Sequence, residues 1–318
     1  MNNFIQLIKN EQMKMYSQTA TWVMLIILAV LVVGIGVFFK VDGMLMEDSG
    51  EPSENWEEQL QAENEQLQQE IDKEPGFSGM NEETIAMNQY RLDHEIPPDD
   101  YDAWNFVQEN RSNISLISLL TIIVAASIIA NEFKWGTIKL LLIRPISRTK
   151  ILAAKYVSVL VYAITMLLFL YVLSFITGSL LFGFASINEP YLFMKDGEVQ
   201  EAPIFQHTAS QYLLSSVNLV MMATFAFMIS TVFRNSALAI GVAIFLMMSG
   251  NTIVGFFANQ EWAKYILFAN TDLNQFFTGT PMISGLTLGF SITVLIAYLI
   301  IFLGLAWVFF TKRDVTNA

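Results

Sequence analysis

Side chains able to do covalent chemistry are scarce in this sequence. It has no cysteine and two histidines, so disulfides, thiolate metal sites and a Cys nucleophile are excluded. His94 stands among acidic residues without a second imidazole near it, which is the pattern of a surface residue rather than a metal ligand. No GxxxxGKS/T, HExxH or GxSxG string occurs, so a P-loop, a zincin site and a serine elbow are absent. The one dense constellation is Asn131–Lys150, NEFKWGTIKLLLIRPISRTK. Lys134, Lys139, Arg144, Arg148 and Lys150 can face anionic head groups or an acidic partner. Phe133, Trp135, Ile138 and Leu141–Ile143 offer apolar contact to a lipid interface or a protein groove. Glu132 can accept hydrogen bonds or pair with a basic group. Gly136 lets another backbone approach, Pro145 ends a helix and Ser147 can cap the next. This is chemistry of recognition, not of bond breaking.

The elements around this elbow are membrane spans. Hydrophobic residues make up 54% of the chain and charged ones 14%, and several runs reach the roughly 20 apolar residues that cross a bilayer. The expected fold is an all-α integral membrane protein with six transmembrane helices and a helical extracellular insertion between the first and second. The spans are expected at 20–39, 113–130, 151–182, 212–233, 237–257 and 286–310. An amphipathic helix (1–19) precedes the first, which reads as an uncleaved signal anchor. The elbow (131–150), a tight turn (234–236) and a tail (311–318) carry the Lys and Arg residues, together with the N-terminal helix. The positive-inside rule therefore puts them in the cytoplasm with both termini. A loop (183–211) and a partly re-entrant loop (258–285) fall on the other side with the segment 40–112.

That segment holds the acidity of the chain. Of a formal net charge of −12, residues 42–112 contribute roughly −17, so the remainder is mildly basic. Trp56, Leu60, Leu67 and Ile71 recur at fours and sevens, predicting a helix over 54–73 that forms a hairpin arm or short coiled coil. Asn81 is placed to cap a second helix running through Tyr90.

Apart from Lys155 near the start of the third, the spans carry essentially no ionisable side chain. Proton- or ion-coupled transport usually needs one at mid-membrane, and a voltage sensor needs an Arg series. A transporter of this composition must draw its energy from another polypeptide. Candidate substrate-lining residues are the polar and polarisable points at depth, Ser215, Asn218, Met222 and Asn251, although such residues also serve to glue helices together.

The run Glu132, Gly136-Thr137, Leu140–Leu142, Pro145, Ser147-Arg148, Ile151-Leu152 and Lys155 resembles the cytoplasmic loop of permease subunits of type-2 ATP-binding-cassette exporters. There an E…GT…LL…P.SR…IL..K pattern joins the second and third of six spans. The helix containing Asn10-Glu11 and the loop with Pro281 and Gly285 fit as well. The Gln/Glu-rich first loop, with Tyr90-Arg91-Leu92 and Ala103-Trp104, is similar to bacterial members linked to export of, or resistance to, antimicrobial peptides. The resemblance implies no enzyme activity in this chain and no bound cofactor, with ATP–Mg on a separate cytoplasmic ATPase subunit. It also implies a second permease copy or a related permease, contact with lipid, no nucleic acid, and a bacterial plasma-membrane location. The ATPase-facing residues it implies are Glu11, Glu132, Phe133, Trp135, Gly136, Thr137, Leu140, Pro145, Ser147 and Arg148. The cargo implied is a peptide antibiotic, lipid-like compound or hydrophobic drug. The competing expectation is a membrane sensor or assembly protein whose extracellular arm binds a ligand.

Overall fold

The computed structural model describes residues 2–45, 55–73, 78–98, 101–138, 146–184, 190–195, 197–277 and 281–312. An N-terminal helix, α1 (Asn2–Tyr16), turns into the long α2 (Thr19–Leu45). A pair of hydrophilic helices follows, α3 (Trp56–Lys73) and α4 (Ser78–His94), then a short α5 (Ala103–Glu109) and α6 (Ile114–Lys134). After the elbow come α7 (Arg148–Phe182), the strands β1 (Pro190–Lys195) and β2 (Glu198–Pro203), α8 (Ile204–Phe233) and α9 (Ser236–Phe257). A five-residue α10 (Leu267–Thr271) lies within the last long connection, and α11 (Leu288–Lys312) closes the described chain. Six helical stretches among the described residues are long and apolar enough to cross a membrane: 19–42, 103–134, 148–182, 204–233, 236–257 and 288–312. The chain is an all-α membrane protein, with one small β-hairpin added at the end away from the elbow.

Two cores share the bundle. One is built where α6, α8, α9 and α11 meet, around Ile122, Ala126, Met222, Phe227, Ala239 and Phe302. The other joins α2, α5, α6 and α7 around Leu28, Phe106, Ile117, Tyr162 and Leu170. Ala239 and Ala243 are fully buried on the inner face of α9, where small side chains let helices approach closely.

The structure corrects three boundaries. Residues 103–112 were expected in the hydrophilic segment. Instead Ala103, Trp104, Phe106 and Val107 are buried, and α5 runs on through a short 3-10 turn into α6. Asp102 caps α5, accepting from the amides of Trp104 (2.8 Å) and Asn105 (3.0 Å). Gly178 on α7 makes room for it, since a Cβ there would lie 2.9 Å from the Ala103 Cα. The loop expected over 183–211 holds an antiparallel hairpin in which Tyr191 pairs with Ala202 and Phe193 with Gln200. Its last residues, 204–211, already belong to α8, so His207 sits in a helix, between the rings of Tyr191 and Phe193. Asn81 does not cap a helix either: α4 begins at Ser78, and the Asn81 amide donates to Glu70 of α3 (3.4 Å). The hydrophilic helices pack on each other, with Asn88 donating to Glu63 (3.2 Å) and to Asn64 (3.0 Å).

The connection after α9 is folded against the bundle. Leu267, Ala269, Asn270 and Thr271 are buried, and the Phe268 ring lies directly on Gly250. Asn270 donates to the carbonyls of Lys264 (2.9 Å) and Ile266 (2.8 Å) and accepts from Ser291 (2.8 Å), which satisfies its amide completely enough for burial.

Candidate functional site

The elbow begins where α6 runs out. Trp135 bonds back to the Asn131 carbonyl (2.9 Å) and Gly136 to that of Phe133 (3.2 Å). Gly136 then takes φ +69°, the left-handed cap that glycine adopts at least cost. A Cβ at Gly136 would meet open space. The turn by itself calls for glycine here. Thr137 comes back over the helix end, and its hydroxyl donates to the Glu132 carboxylate.

Glu132 is the centre of a buried ionic joint. It is 8% exposed, as is Glu11 on α1, and Lys155 on α7 is 1% exposed. The Lys155 Nζ donates to Glu11 Oε2 (2.8 Å), to Glu132 Oε1 (3.1 Å) and to the Ile128 carbonyl (3.3 Å). Lys14 Nζ completes the ring, donating to Glu11 Oε1 (3.2 Å) and Glu132 Oε1 (3.1 Å). Burial works against the Lys14 charge, but Glu11 and then Glu132 outweigh it, and its pKa lies above the usual lysine value. Three helices from distant parts of the chain are thus tied by two carboxylates and two ammonium groups. Charges taken out of water stabilise little overall, because desolvation offsets their attraction. What they enforce is geometry: withdrawing α7 would leave Glu11 and Glu132 with only Lys14 between them, and withdrawing α1 or α6 would take from Lys155 one of its two carboxylates. Beside the joint, Gln12 donates to the Ser158 carbonyl (2.8 Å), a second strap from α1 to α7.

Among the described residues, Ile138 is buried in the main core, and the other elbow residues face outward or stitch the same end together. Trp135 is 64% exposed. Phe133 is half-buried, with the Arg234 guanidinium 4.3 Å above its ring. Ser147 caps α7, accepting from the Lys150 amide (3.4 Å), and Arg148 donates to the Thr311 carbonyl at the end of α11 (3.1 Å). A shallow recess of about 470 Å³ lies between Ala130, Phe133 and Lys134 of α6 and the turn Arg234–Ala237. Leu140 and Pro145 lie outside the described residues. The sequence reading treated Glu11 and Glu132 as contacts for a partner; both are turned inward and mutually engaged.

The candidate substrate-lining residues differ in burial and partners. Met222 is fully buried in the main core, and Ser215 accepts from the Asn274 amide (3.0 Å). The Asn218 carbonyl oxygen is buried with no hydrogen-bond partner, whereas Asn251 is exposed on α9. Lys155 is the functional residue that the site reading missed. The signal was present: a lysine one turn inside an apolar span must bury its charge, and a buried ammonium demands carboxylates. Glu11 and Glu132 were the acids on the same side.

A family model described as a protein of unknown function (DUF2705) matches residues 77–316. The uncharacterized protein YhcI of Bacillus subtilis (strain 168) is 45% identical over 317 residues, covering 98% of this chain and 100% of its own length. The uncharacterized membrane protein YdbK of the same organism is 34% identical over 203 residues, 63% of this chain and 78% of its own.

Proposed function

The chain belongs to the DUF2705 family of proteins of unknown function, and on the strength of its elbow motif we propose that it is the permease subunit of a type-2 ATP-binding-cassette exporter. In this reading ATP–Mg binds to a separate cytoplasmic subunit, and two permease copies assemble with two such subunits. The cargo is an amphipathic or hydrophobic compound, such as a peptide antibiotic, lipid-like molecule or drug, moved across or out of the cell membrane. The termini and elbow face the cytoplasm; the acidic helical pair and the β-hairpin face outward.

One observation carries the reading. Within the elbow motif Thr137 and Lys155 both bond to Glu132, and Lys155 also bonds to Glu11 of the N-terminal helix. A lever needs a rigid end, and this joint supplies it: force applied to the exposed Trp135 or to the recess beside Arg234 reaches α1, α6 and α7 together. Closure of the ATPase dimer would then tilt these helices as a unit, the rigid-body kind of switching transition.

The test is purification of the tagged chain from its native membrane in mild detergent, with mass spectrometry and an ATPase assay on what comes with it. A P-loop subunit should co-purify. Trp135→Ala, an exposed position, should weaken that association or the stimulation of hydrolysis by cargo while the permease still inserts. Glu132→Gln should depress stimulated hydrolysis with the complex intact. Recovery of the chain alone, or with a kinase and no ATPase subunit, would move the assignment to a sensor in which the outer headpiece binds the ligand.

A further inference from the structure

We infer that the cleft between α2 and α6, at the elbow end, is a binding site for amphiphiles that carry an ammonium head group. The inference deepens the export reading by naming a class of cargo, and rests on it only for the fate of the ligand after binding.

The cleft exists because α2 leans on α7 and leaves a gap beside α6. Its volume is about 270 Å³, just under the range of ordinary ligand pockets. That space suits a head group and the first methylenes, with the rest of a tail lying along the helices. The lining has two characters. Glu11, Lys14 and Glu132 are at one end, and Met24, Val124 and Ile128 line the other. A site with ionised groups at one end and apolar helix faces at the other selects for amphiphiles, since a small hydrated ion gains nothing from the apolar part.

The sign of the head group follows from the joint. Its inner members are Glu11, Glu132 and the deeply buried Lys155, two negative charges against one positive. Lys14 supplies the balancing charge, but its side chain is 50% exposed, and pinning a long lysine stem costs rotamer freedom. Lys14 is therefore the replaceable member. An ammonium carried by a ligand can take its place against Glu11 and Glu132 and leave the cluster neutral, while the displaced Lys14 turns to solvent. A sulfate or phosphate head would face the same two carboxylates and be repelled. An uncharged head would leave Lys14 in place and gain only the apolar contacts.

The test uses the purified chain in micelles of dodecyl maltoside, an uncharged detergent without an ammonium group, with empty micelles as the blank. Octyltrimethylammonium, octyl sulfate and octyl glucoside are titrated by calorimetry. In the wild-type chain the ammonium probe should bind saturably, and at least about tenfold tighter than the other two. Lys14→Met removes the tethered competitor and should tighten the ammonium probe by about tenfold. Val124→Trp fills the apolar half and should abolish saturable binding, with the unfolding temperature showing that the chain is intact. Equal or tighter binding of the sulfate or glucoside probe, weaker ammonium binding in Lys14→Met, or unchanged binding in an intact Val124→Trp chain would each overturn the site. No ATPase subunit takes part, so such a result removes the site and leaves the export reading where it stood.

Discussion

The two ends of the bundle handle charge in opposite ways. At the elbow end four ionised side chains are drawn into contact across 118 and 144 residues of sequence, and three of them are buried. At the other end the chain concentrates most of its acidic residues, and of the nine that α3 and α4 carry, eight are exposed. What holds that end to the bundle is largely neutral. α5 is seated by Trp104 against Phe175 and by Phe106 against Phe182, and the Tyr212 hydroxyl donates to the Val107 carbonyl (2.8 Å). Few charges, buried and mutually satisfied, fix relative helix positions; many charges, solvated, fix little beyond solubility. The contrast locates a stiff end and a compliant end in one molecule.

The contrast breaks most visibly at Lys155. Lys155→Met leaves Glu11 and Glu132 with only the half-exposed Lys14 between them. Removing one partner of a buried pair should destabilise by about 3–5 kcal/mol, measured by denaturant unfolding in mixed micelles. Adding Glu132→Gln restores neutrality, with Glu11 facing Lys14, and should recover a large part of the loss. The coupling between the two substitutions, read from a double-mutant cycle, is the direct measure of the joint. A loss under about 1 kcal/mol for Lys155→Met would place this pair with exposed salt bridges and remove the stiff end.

Gly178 probes the other end with a smaller effect. Its Cβ would meet the backbone of Ala103 at 2.9–3.1 Å, and backbone yields less readily than a side chain. Gly178→Val should cost about 1–3 kcal/mol as overpacking and should unseat α5. The joint lies at the far end of α7, so an unfolding probe at Trp135 should report the global loss only. Local loosening would show in hydrogen exchange over 103–109.

How much of this was legible in the sequence depended on which force did the folding. The apolar runs declared themselves, because a bilayer-spanning helix is long and its signal is composition. Ser147 as a cap could be read for the same local reason. α5 and the start of α8 could not. Residues 103–112 and 204–211 mix polar and aromatic side chains, and they are helical because Gly178 and the β-hairpin give those side chains somewhere to pack. The hairpin is itself masked by Glu198 and Glu201 on its exposed edge. Gly136 was legible as important, but its positive φ was not, since sequence does not distinguish a left-handed turn from a close approach. The joint was half legible: Glu132 and Lys155 both stood in the elbow motif, but only the fold shows that they meet, and that Glu11 comes to them from the N-terminal helix.

The smallest effect is expected where the acidic helices touch the hairpin. The Tyr90 hydroxyl donates to Glu201 (3.0 Å), and the ring stacks on His94 at 4.0 Å. Both contacts are exposed to solvent, where water replaces a lost hydrogen bond at little cost. Tyr90→Phe keeps the stack and removes only the hydroxyl, so global unfolding should not shift measurably. Hydrogen exchange over β1 and β2 should nevertheless speed up, because α4 rests on the hairpin and this bond fastens it to β2. A compliant end loosens locally without feeling the loss elsewhere. If Tyr90→Phe instead lowered global stability as Lys155→Met does, the headpiece would be as firmly coupled to the bundle as the joint is, and the distinction between the two ends would fail.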